Sequence, residues 1–300
     1  MKPVKDIAVK PDTSVSDLVK QFGSAGGFTA TKLATAVDIL KDMGDSYKFL
    51  SFPADIISTG TRGIIKDWVK ERKFDCLITT CGTLDHDFAR AYAKYYHGSF
   101  DMDDVELHKK KQLRLGNVLI PLENYGVAIE KHIQPMLQKM YDEGRRELST
   151  PELVWELGKQ MKDKDSIMYW SYKNRIPIFV PGITDGAVGN QIWMFAQDHK
   201  MKIDIFKDET MLSDIVFTHK KTGALIIGGG ISKHHVIWWN QYKDGLDYAV
   251  YITTAAEWDG SLSGARTREA ISWGKLKEKA KHITVEGDAT VLLPIIAACI

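Results

Sequence analysis

Residues 222–275 read TGALIIGGGISKHHVIWWNQYKDGLDYAVYITTAAEWDGSLSGARTREAISWGK, and this stretch decides the fold. Its first apolar run, residues 224–227, breaks into three glycines, and its second, residues 248–252, breaks into Thr253-Thr254-Ala255. Short apolar runs that end in turn residues are typical of strands buried in a parallel sheet. Ligands of open parallel sheets bind beyond the carboxyl ends of the strands, so the two breaks indicate a ligand site.

The rest of the chain repeats this alternation of strand, loop and helix. Further strands are predicted at residues 47–52, 74–79, 117–120, 176–180, 202–206 and 282–285. Helices are predicted at residues 29–43, 56–72, 88–96, 127–143, 151–161, 188–197 and 209–217, with a short one ending near residue 22 and a last one opening at residues 288–289. Asp12 or Ser14 is expected to cap the first helix, and Thr29 the second. The alternation predicts one α/β domain with a mainly parallel central sheet flanked by helices.

Composition and charge argue against several classes of protein. The 300 residues include 40 basic and 39 acidic side chains, a formal net charge of +1. This balance gives no support to nucleic-acid or membrane-surface binding. Cys76, Cys81 and Cys299 form no CxxC pair and fit neither a disulfide framework nor a zinc site. The N-terminus lacks an apolar signal segment and no apolar run is long enough to span a bilayer, which predicts a soluble cytoplasmic protein.

Polar residues follow the predicted strand at residues 74–79. Residues 80–87 are expected to form a polar loop in which Asp85 and Asp87 flank His86. The aspartates either contact a ribose hydroxyl or an amine, or they cap the helix that follows, and capping is favoured. Asp185, which precedes Gly186, is either a cap or an acceptor for a cofactor ribose.

Two histidines, His234 and His235, follow the glycines at the expected start of a helix. Adjacent side chains on a helix point in different directions, so at most one of the two faces a site. A metal-binding pair needs another spacing, such as i,i+4. The glycines alone are about equally consistent with a phosphate-binding loop and with a simple turn.

Lys275 follows Trp273 at the end of the quoted stretch. Most lysines are solvated surface residues, and a tryptophan is most often part of the core. If Trp273 and the small residues around it formed an apolar niche, desolvation would lower the lysine pKa and create a nucleophilic amine. The chemistry is therefore possible, and residue type alone does not select it.

The order of these motifs resembles that of deoxyhypusine synthases, archaeal members in particular. The matching segments of the C-terminal half are Gly228-Gly229-Gly230-Ile231-Ser232-Lys233-His234-His235, Asp247-Tyr248-Ala249-Val250-Tyr251, Asp259-Gly260-Ser261, Ser263-Gly264-Ala265-Arg266, Glu269-Ala270, Ser272-Trp273-Gly274-Lys275 and Gly287-Asp288-Ala289. Upstream, the matching segments are Ile57-Ser58-Thr59-Gly60, Thr79-Thr80, Gly116-Asn117, Glu123-Asn124-Tyr125 and Thr184-Asp185-Gly186. The similarity covers nearly the whole chain.

The resemblance implies a Rossmann-like NAD-binding domain over residues 29–300, an N-terminal helical extension over residues 1–28, and a homotetramer with active sites shared between paired subunits. It implies that NAD takes a hydride from spermidine, that diaminopropane leaves, and that the aminobutyl part passes to an enzyme lysine. That group then moves to a lysine of the translation initiation factor five A precursor, and the hydride returns. The reaction that it implies needs no metal.

The resemblance also implies roles for individual residues. Lys275 forms the covalent imine, and His234 is a base or proton acceptor beside the oxidised amine. The implied substrate-binding residues are Asp85, His86, Asn190, Tyr251, Gly260, Ser261, Leu262, Glu269 and Trp273. The implied NAD-binding residues are Ala54, Asp55, Ile56, Ile57, Ser58, Thr80, Cys81, Gly82, Asp185, Gly229, Gly230, Thr254, Ala255, Asp288 and Ala289.

Three positions depart from the eukaryotic pattern of the family, which has acidic residues where this chain has His86, Asn190 and Leu262. Each buried ammonium of a polyamine normally needs a carboxylate or another acceptor, so the identity of the amine stays open. Two alternatives stay open as well. One is aminobutyl transfer to a free amine, as in a homospermidine synthase, and the other is an NAD-binding homologue without turnover.

Overall fold

A computed structural model describes residues 1–300. The α-helices are α1 Val15–Phe22, α2 Phe28–Asp42, α3 Arg62–Lys70, α4 Cys81–Tyr92, α5 Asp104–Lys109, α6 Gly126–Asp142, α7 Thr150–Gln160, α8 Ile167–Asn174, α9 Ala187–Asp198, α10 Ile205–Thr218, α11 Gly230–Gln241, α12 Thr267–Ser272 and α13 Ala289–Ala297. The strands are β1 Tyr47–Ser51, β2 Cys76–Ile78, β3 Tyr96–His97, β4 Gln112–Leu115, β5 Val118–Pro121, β6 Glu147–Leu148, β7 Ile178–Phe179, β8 Lys202–Ile203, β9 Thr222–Ile227, β10 Leu246–Thr253 and β11 Leu276–Glu286. Three 3-10 helices cover Ala54–Ser58, Leu122–Asn124 and Glu257–Asp259.

The chain forms two compact units, of which the first combines Met1–Phe52 with Leu212–Ile300. Its sheet has the strand order β11-β10-β9-β1, and every pair in it is parallel. All six residues of β9 are buried, as expected for a central strand covered on both faces. Helix α2 packs against β10 and β11, and helix α11 packs against β1 and β9.

The second unit, Pro53–Met211, holds a parallel pair of short strands, β2 and β7. Helices α3, α4, α6, α7, α8 and α9 pack against one another in this unit. Strands β3, β5 and β4 form a small antiparallel sheet, and β6 pairs with β8 in parallel. The unit therefore adds two small sheets to its helical layer.

The predicted α/β fold with mainly parallel strands and N-terminal helices is confirmed. Strands β9, β10 and β11 cover the predicted runs; β10 and β11 extend beyond them at both ends, and β9 at its N-terminal end only. Ser14 caps α1 as expected, because its hydroxyl accepts a hydrogen bond from the Asp17 N–H. The boundary predicted at residue 28 stays a prediction, since α1 and α2 on its two sides pack together in the first unit.

The polar loop predicted at residues 80–87 is wrong, because these residues form the first two turns of α4. Thr80 is the N-cap, and the helix ends at Tyr92 rather than at residue 96. The polar side chains that suggested a loop are buried: Asp85 is 1% exposed and Asp87 is fully buried. Their carboxylates accept backbone hydrogen bonds from other helices, so polarity here does not indicate solvent exposure.

The helix predicted at residues 56–72 is interrupted. A 3-10 helix ends at Ser58 and α3 begins at Arg62. The hydroxyls of Thr59 and Thr61 both donate to the carbonyl oxygen of Ile56, at 2.7 Å each. Side-chain hydroxyls that take a backbone acceptor in this way compete with the helical hydrogen bond. The local interruption therefore follows from two threonines.

Two further boundaries differ from the prediction. Thr29 lies inside α2, whose N-cap is Gly27, so it is not the cap. The strand predicted at residues 202–206 ends at Ile203, and α10 begins at Ile205. Asp204 causes the change, since its carboxylate accepts a hydrogen bond from the Phe206 N–H at 3.1 Å in the manner of a helix cap. No helix has the length and apolar content needed to cross a membrane.

Candidate active site

A cavity of about 150 Å³ lies in the first unit and contains five of the predicted site residues. Its lining consists of Lys233, Ile237, Tyr251, Leu262, Ala265, Arg266, Glu269, Ala270, Trp273 and Lys275. Strand β10, the loop after it, helix α12 and the turn before β11 supply most of these side chains. The predicted substrate-binding residues Tyr251, Leu262, Glu269 and Trp273 thus come together with Lys275.

Lys275 is held in this cavity by the way α12 ends. The N–H of Lys275 donates to the Ala270 carbonyl at 2.9 Å, and the N–H of Gly274 donates to the Ile271 carbonyl at 2.9 Å. With Gly274 at φ +66°, this pair of bonds is a Schellman motif, which favours glycine at the left-handed position. The Trp273-Gly274-Lys275 sequence therefore ends α12 and fixes the position of the Lys275 backbone.

Lys275 is 9% exposed, and its Nζ atom lies 5.0 Å from the centroid of the Trp273 ring. Trp273 itself is 62% exposed, so it is not part of the core. The apolar wall expected from the sequence exists, but its outer face is open to solvent. An exposed indole face beside a buried amine fits a contact with the aliphatic part of an amine substrate.

His234 lies on α11 and is half-buried. Its ring stacks on Trp238 one turn further along, with centroids 5.6 Å apart. Burial lowers the pKa of His234, and the positive charge of Lys275 lowers it further. The imidazole is therefore neutral at pH 7, with a ring nitrogen able to accept a proton.

Charge in the cavity is unevenly divided. Glu269, on α12, is the only carboxylate among its lining residues, which also include Lys233, Arg266 and Lys275. A cationic substrate group that enters this cavity therefore has one carboxylate to pair with. The Tyr251 hydroxyl is buried and has no hydrogen-bond partner. It is a second polar group able to contact a ligand there.

Lys233 was missed by the sequence interpretation. It is 1% exposed, and its Nζ atom donates to the carbonyl oxygens of Leu262 at 2.7 Å and Ala265 at 2.8 Å. The same atom lies 4.2 Å from the centroid of the Tyr251 ring. Burial lowers the pKa of Lys233 to about 8. Its i,i+4 spacing to the buried Ile237 was the available signal, because it places the lysine on the sheet-facing side of α11.

Gly260 and Ser261 lie outside the cavity lining. They follow the 3-10 helix Glu257–Asp259, where the Ser261 N–H donates to Asp259 at 2.7 Å. The Ser261 hydroxyl accepts a hydrogen bond from the Gly264 N–H at 3.1 Å. Both residues shape the loop, and their predicted contact with substrate stays a prediction.

The predicted NAD-binding residues of the first unit lie at one edge of its sheet. Ile227 pairs with Ile252, and Thr253 pairs with Glu286, so β9, β10 and β11 end side by side. The loops and helix starts that follow these ends contain Gly229, Gly230, Thr254, Ala255, Asp288 and Ala289. The N-terminus of α11 has no side-chain cap, which leaves its first N–H groups available to a phosphate.

Gly229 also permits a close approach of the chain. A Cβ atom at this position would overlap Ser263, which belongs to the loop after β10. The glycine therefore lets the loop that carries Leu262 and Ala265 lie directly on the start of α11. This close contact brings the predicted cofactor edge and the cavity around Lys275 into one compact region of the first unit.

The second unit holds the other predicted NAD-binding residues. Ala54, Asp55, Ile56, Ile57 and Ser58 form the first 3-10 helix, which packs against α4. Thr80, Cys81 and Gly82 form the start of α4. Burial and the neighbouring Asp85 carboxylate raise the pKa of the Cys81 thiol, so it is protonated and unreactive. Asp185 is exposed in the turn before α9.

Asp85 caps a helix other than its own. Its carboxylate accepts hydrogen bonds from the N–H groups of Ala187 at 2.9 Å and Val188 at 2.7 Å, at the start of α9. The Tyr125 hydroxyl donates to it at 2.9 Å. Burial raises the pKa of Asp85 despite these three donors. Asp85 thus acts as a cap, but for a helix about a hundred residues further along the chain rather than for the helix that follows it. Its predicted contact with the substrate stays a prediction.

Asp87 does the same for α8. Its carboxylate accepts hydrogen bonds from the N–H groups of Ile167 at 3.0 Å and Met168 at 2.9 Å and from the Ser166 hydroxyl at 2.8 Å. The Arg62 guanidinium completes the set with a buried ion pair at 2.7 Å. Helix α4 is therefore the element that positions the N-termini of two other helices.

His86, between these aspartates, is 8% exposed. Its Nδ1 atom lies 3.0 Å from the Tyr95 hydroxyl. Burial, with a smaller contribution from the positive charge of Arg90, lowers the pKa of His86 to about 4. The side chain is thus neutral at pH 7. Asn190 is exposed on α9, and the predicted roles of both residues in substrate binding stay predictions.

A second cavity, of about 320 Å³, lies in the second unit, and no predicted site residue lines it. Its lining consists of Pro181, Ile183, Thr184, Gly189, Ile192, Trp193, Ala196, Met201, Ile203 and Ile205. None of these side chains is ionisable, so this cavity has no group for acid–base or nucleophilic chemistry. The smaller cavity around Lys275 is the better candidate.

Comparison with known proteins shows the family. The family model described as deoxyhypusine synthase matches residues 17–300. The chain belongs to the deoxyhypusine synthase family. A probable deoxyhypusine synthase of Picrophilus torridus is 55% identical over 300 residues, covering 99% of this chain and 96% of the relative. One of Thermoplasma acidophilum is 54% identical with the same coverage. The predicted family and enzyme class are confirmed.

Solved structures agree at the level of the fold. A putative deoxyhypusine synthase from Entamoeba histolytica matches with a TM-score of 0.66 and 19% identity, covering 99% of this chain and 96% of that chain. The complex of AgrE with ornithine and NAD⁺ matches with a TM-score of 0.51 and 11% identity, covering 90% of this chain and 32% of that chain. Both show a shared fold and no more.

Proposed function

We propose that this member of the deoxyhypusine synthase family transfers the aminobutyl group of spermidine to a lysine of the translation initiation factor five A precursor, with NAD as cofactor and Lys275 as covalent carrier. The observation that carries the proposal is the cavity in which Lys275 is buried beside Trp273 and Glu269. A lysine held by a helix terminator, next to one carboxylate and one aromatic face, suits covalent catalysis on an amine.

The residues of the first unit fit a dinucleotide. Three parallel strands end side by side, and the loops after them supply Gly229, Gly230 and the uncapped N-terminus of α11. Backbone N–H groups of this kind bind a pyrophosphate. When bound, NAD would supply the acceptor for a hydride from the amine carbon of the substrate, so that the substrate becomes an imine, and it would return the hydride at the end. Asp288 caps α13 through the Thr290 N–H and lies at the same edge.

The chemistry assigned to Lys275 balances without a metal ion. Its Nζ attacks the substrate imine carbon, and the bond from that carbon to the nitrogen of diaminopropane breaks. Diaminopropane leaves as an amine after it takes up a proton, and the four-carbon part stays on Nζ as an imine. The acceptor lysine then displaces Nζ from the same carbon, which frees Lys275.

Neighbouring residues support these steps. His234 is neutral at pH 7 because burial and Lys275 lower its pKa, so its ring accepts a proton as the substrate amine is oxidised. Glu269 pairs with an ammonium of the substrate, and Trp273 lies along the aliphatic chain. Glu269 is the only carboxylate of the cavity, which leaves the preference between spermidine and other amines, such as agmatine, to be measured.

The test uses purified chain, NAD, labelled spermidine and the acceptor protein, followed by borohydride reduction to trap the imine. Wild-type protein is expected to carry label on Lys275 and to pass it to the acceptor. Lys275→Arg is expected to lose both signals, whereas Lys281→Arg, at an exposed ion pair with Asp42, keeps them. Transfer at the wild-type rate by Lys275→Arg would refute the assignment of the carrier.

Transfer to a free amine is the second candidate function, and it is retained because the cavity has a single carboxylate. Incubation with putrescine and no acceptor protein, followed by mass spectrometry, distinguishes homospermidine formation from protein modification. A homologue without turnover would form no NADH with any polyamine. The proposal also includes a homotetramer, which sedimentation measures directly.

A further inference from the structure

Lys233 is a buried cation inside the candidate site whose position gives it no contact with bulk water. Its Nζ atom bonds to two backbone carbonyls, those of Leu262 and Ala265, and lies over the face of the Tyr251 ring. Both carbonyls belong to the loop between β10 and α12. Lys233 itself belongs to α11, one residue before His234.

The loop that these bonds hold has little regular structure. Within residues 256–266 there is one 3-10 helix, Glu257–Asp259, and a turn closed by the bonds of the Gly264 and Ala265 N–H groups to the Ser261 carbonyl. The loop nevertheless supplies three lining residues, Leu262, Ala265 and Arg266. A segment with few internal bonds needs an outside contact to keep a defined shape.

We propose that Lys233 is a positioning residue for the reaction: its two hydrogen bonds tie the loop 256–266 to helix α11 and thereby set the width of the cavity around Lys275. The tie joins the helix that carries His234 to the loop that forms the opposite wall. The role of the cavity in catalysis rests on the proposed function. The effect of the two Lys233 hydrogen bonds on the loop can be measured without it.

The electrostatic environment of Lys233 indicates that the residue has a role other than stabilising the fold. No carboxylate bonds to the Lys233 ammonium, and burial lowers its pKa to about 8, so the charged form costs the folded state free energy at neutral pH. Apolar residues of similar volume often replace such buried charges without loss of stability. A lysine kept at this cost is explained by the geometry that it imposes on the loop.

The experiment compares Lys233→Met with wild-type full-length protein and with Lys281→Met as a control for the loss of a lysine at an exposed ion pair. Amide hydrogen exchange of residues 261–265 is followed without substrate, and NADH formation with spermidine is followed at saturating NAD. Exchange in this segment is expected to become about tenfold faster in Lys233→Met, while β9 and β10 keep their protection.

The Michaelis constant for spermidine is expected to rise about tenfold, because binding must then order the loop, and kcat is expected to stay within about threefold. The midpoint of thermal unfolding is expected to stay the same or to rise. A merely structural role predicts the opposite: a lower midpoint and a lower active fraction, with an unchanged Michaelis constant.

Unchanged exchange in residues 261–265 of folded Lys233→Met would overturn the inference, and so would a fall in the unfolding midpoint without a change in the Michaelis constant. If Lys233→Met does not fold, Lys233→Gln, which is shorter and uncharged, is measured in the same way with the same expected result. If wild-type protein forms no NADH, the proposed function fails while the exchange data still decide whether the tie exists.

Discussion

The Nζ atom of Lys275 lies 5.0 Å from the centroid of the Trp273 ring, and the lysine is buried although the ring is 62% exposed. The indole is therefore part of what shields the amine, while its other face is free for a ligand. Because an exposed side chain contributes little to folding, replacing Trp273 is expected to change the activity of the protein more than its stability.

Trp273→Leu is expected to lower kcat/KM for spermidine about tenfold, since it removes the cation–π contact and the aromatic wall. Its free energy of unfolding is expected to change by only about 0.5 kcal/mol. The control is Trp258→Leu, which changes an 89% exposed tryptophan outside the cavity lining. Equal activity losses in the two variants would contradict a specific role for Trp273.

Gly274→Ala is expected to destabilise the chain by about 1 to 2 kcal/mol, because alanine is strained at φ +66°. The substitution also moves the backbone of Lys275. The yield of imine trapped on Lys275 should therefore fall by more than the loss of stability accounts for. Denaturant unfolding and borohydride trapping measure the two effects. In Gly63→Ala, where an added Cβ meets nothing within 4 Å and φ is helical, neither effect is expected. A fully active Gly274→Ala variant would exclude a positional role for the turn.

Asp85→Ala is expected to lower the free energy of unfolding by about 2 to 3 kcal/mol. The substitution leaves the N–H groups of Ala187 and Val188 and the Tyr125 hydroxyl without their acceptor. Asp185→Ala, exposed in the turn before the same helix, is expected to change stability by less than about 0.5 kcal/mol. If only the Michaelis constant for the amine changed in Asp85→Ala, with stability intact, the carboxylate would be a substrate ligand rather than a cap.

The burial of His86 is expected to make the stability of the protein sensitive to acid. Burial lowers the pKa of His86 to about 4, so between pH 6.5 and pH 4 the unfolded chain binds a proton that the folded chain does not. Stability is therefore lost as pH falls through this window, by up to about 3 kcal/mol. The variant His86→Gln should lose this part of the slope in urea unfolding at several pH values, whereas the exposed His97→Gln should keep it. Identical slopes in wild type and His86→Gln would mean that His86 is accessible to protons in the folded state.

Much of the first unit followed from local patterns. Buried parallel strands are continuous apolar runs, and for that reason β9 and β10 were predicted close to their observed bounds. Lys275 is different, because its role as carrier was implied by the resemblance to deoxyhypusine synthases and stays a prediction. Ser14 was predicted as a cap because capping acts over three residues, a distance that sequence shows directly.

The sequence by itself determined which strands of the first unit form and where the glycines after β9 lie, because each of these depends on neighbours within a few residues. The choice of Lys275 as the candidate carrier came from the resemblance of the motif order to that of the deoxyhypusine synthases. Only the tertiary structure decided that Asp85 and Asp87 serve helices formed by residues 80 to 103 positions later, and that Lys233 is buried. A carboxylate or an ammonium shows no preference along the chain for the distant backbone group that will satisfy it. That partner is chosen when the helices and the loop pack together, since packing decides which N–H and C=O groups lose their water.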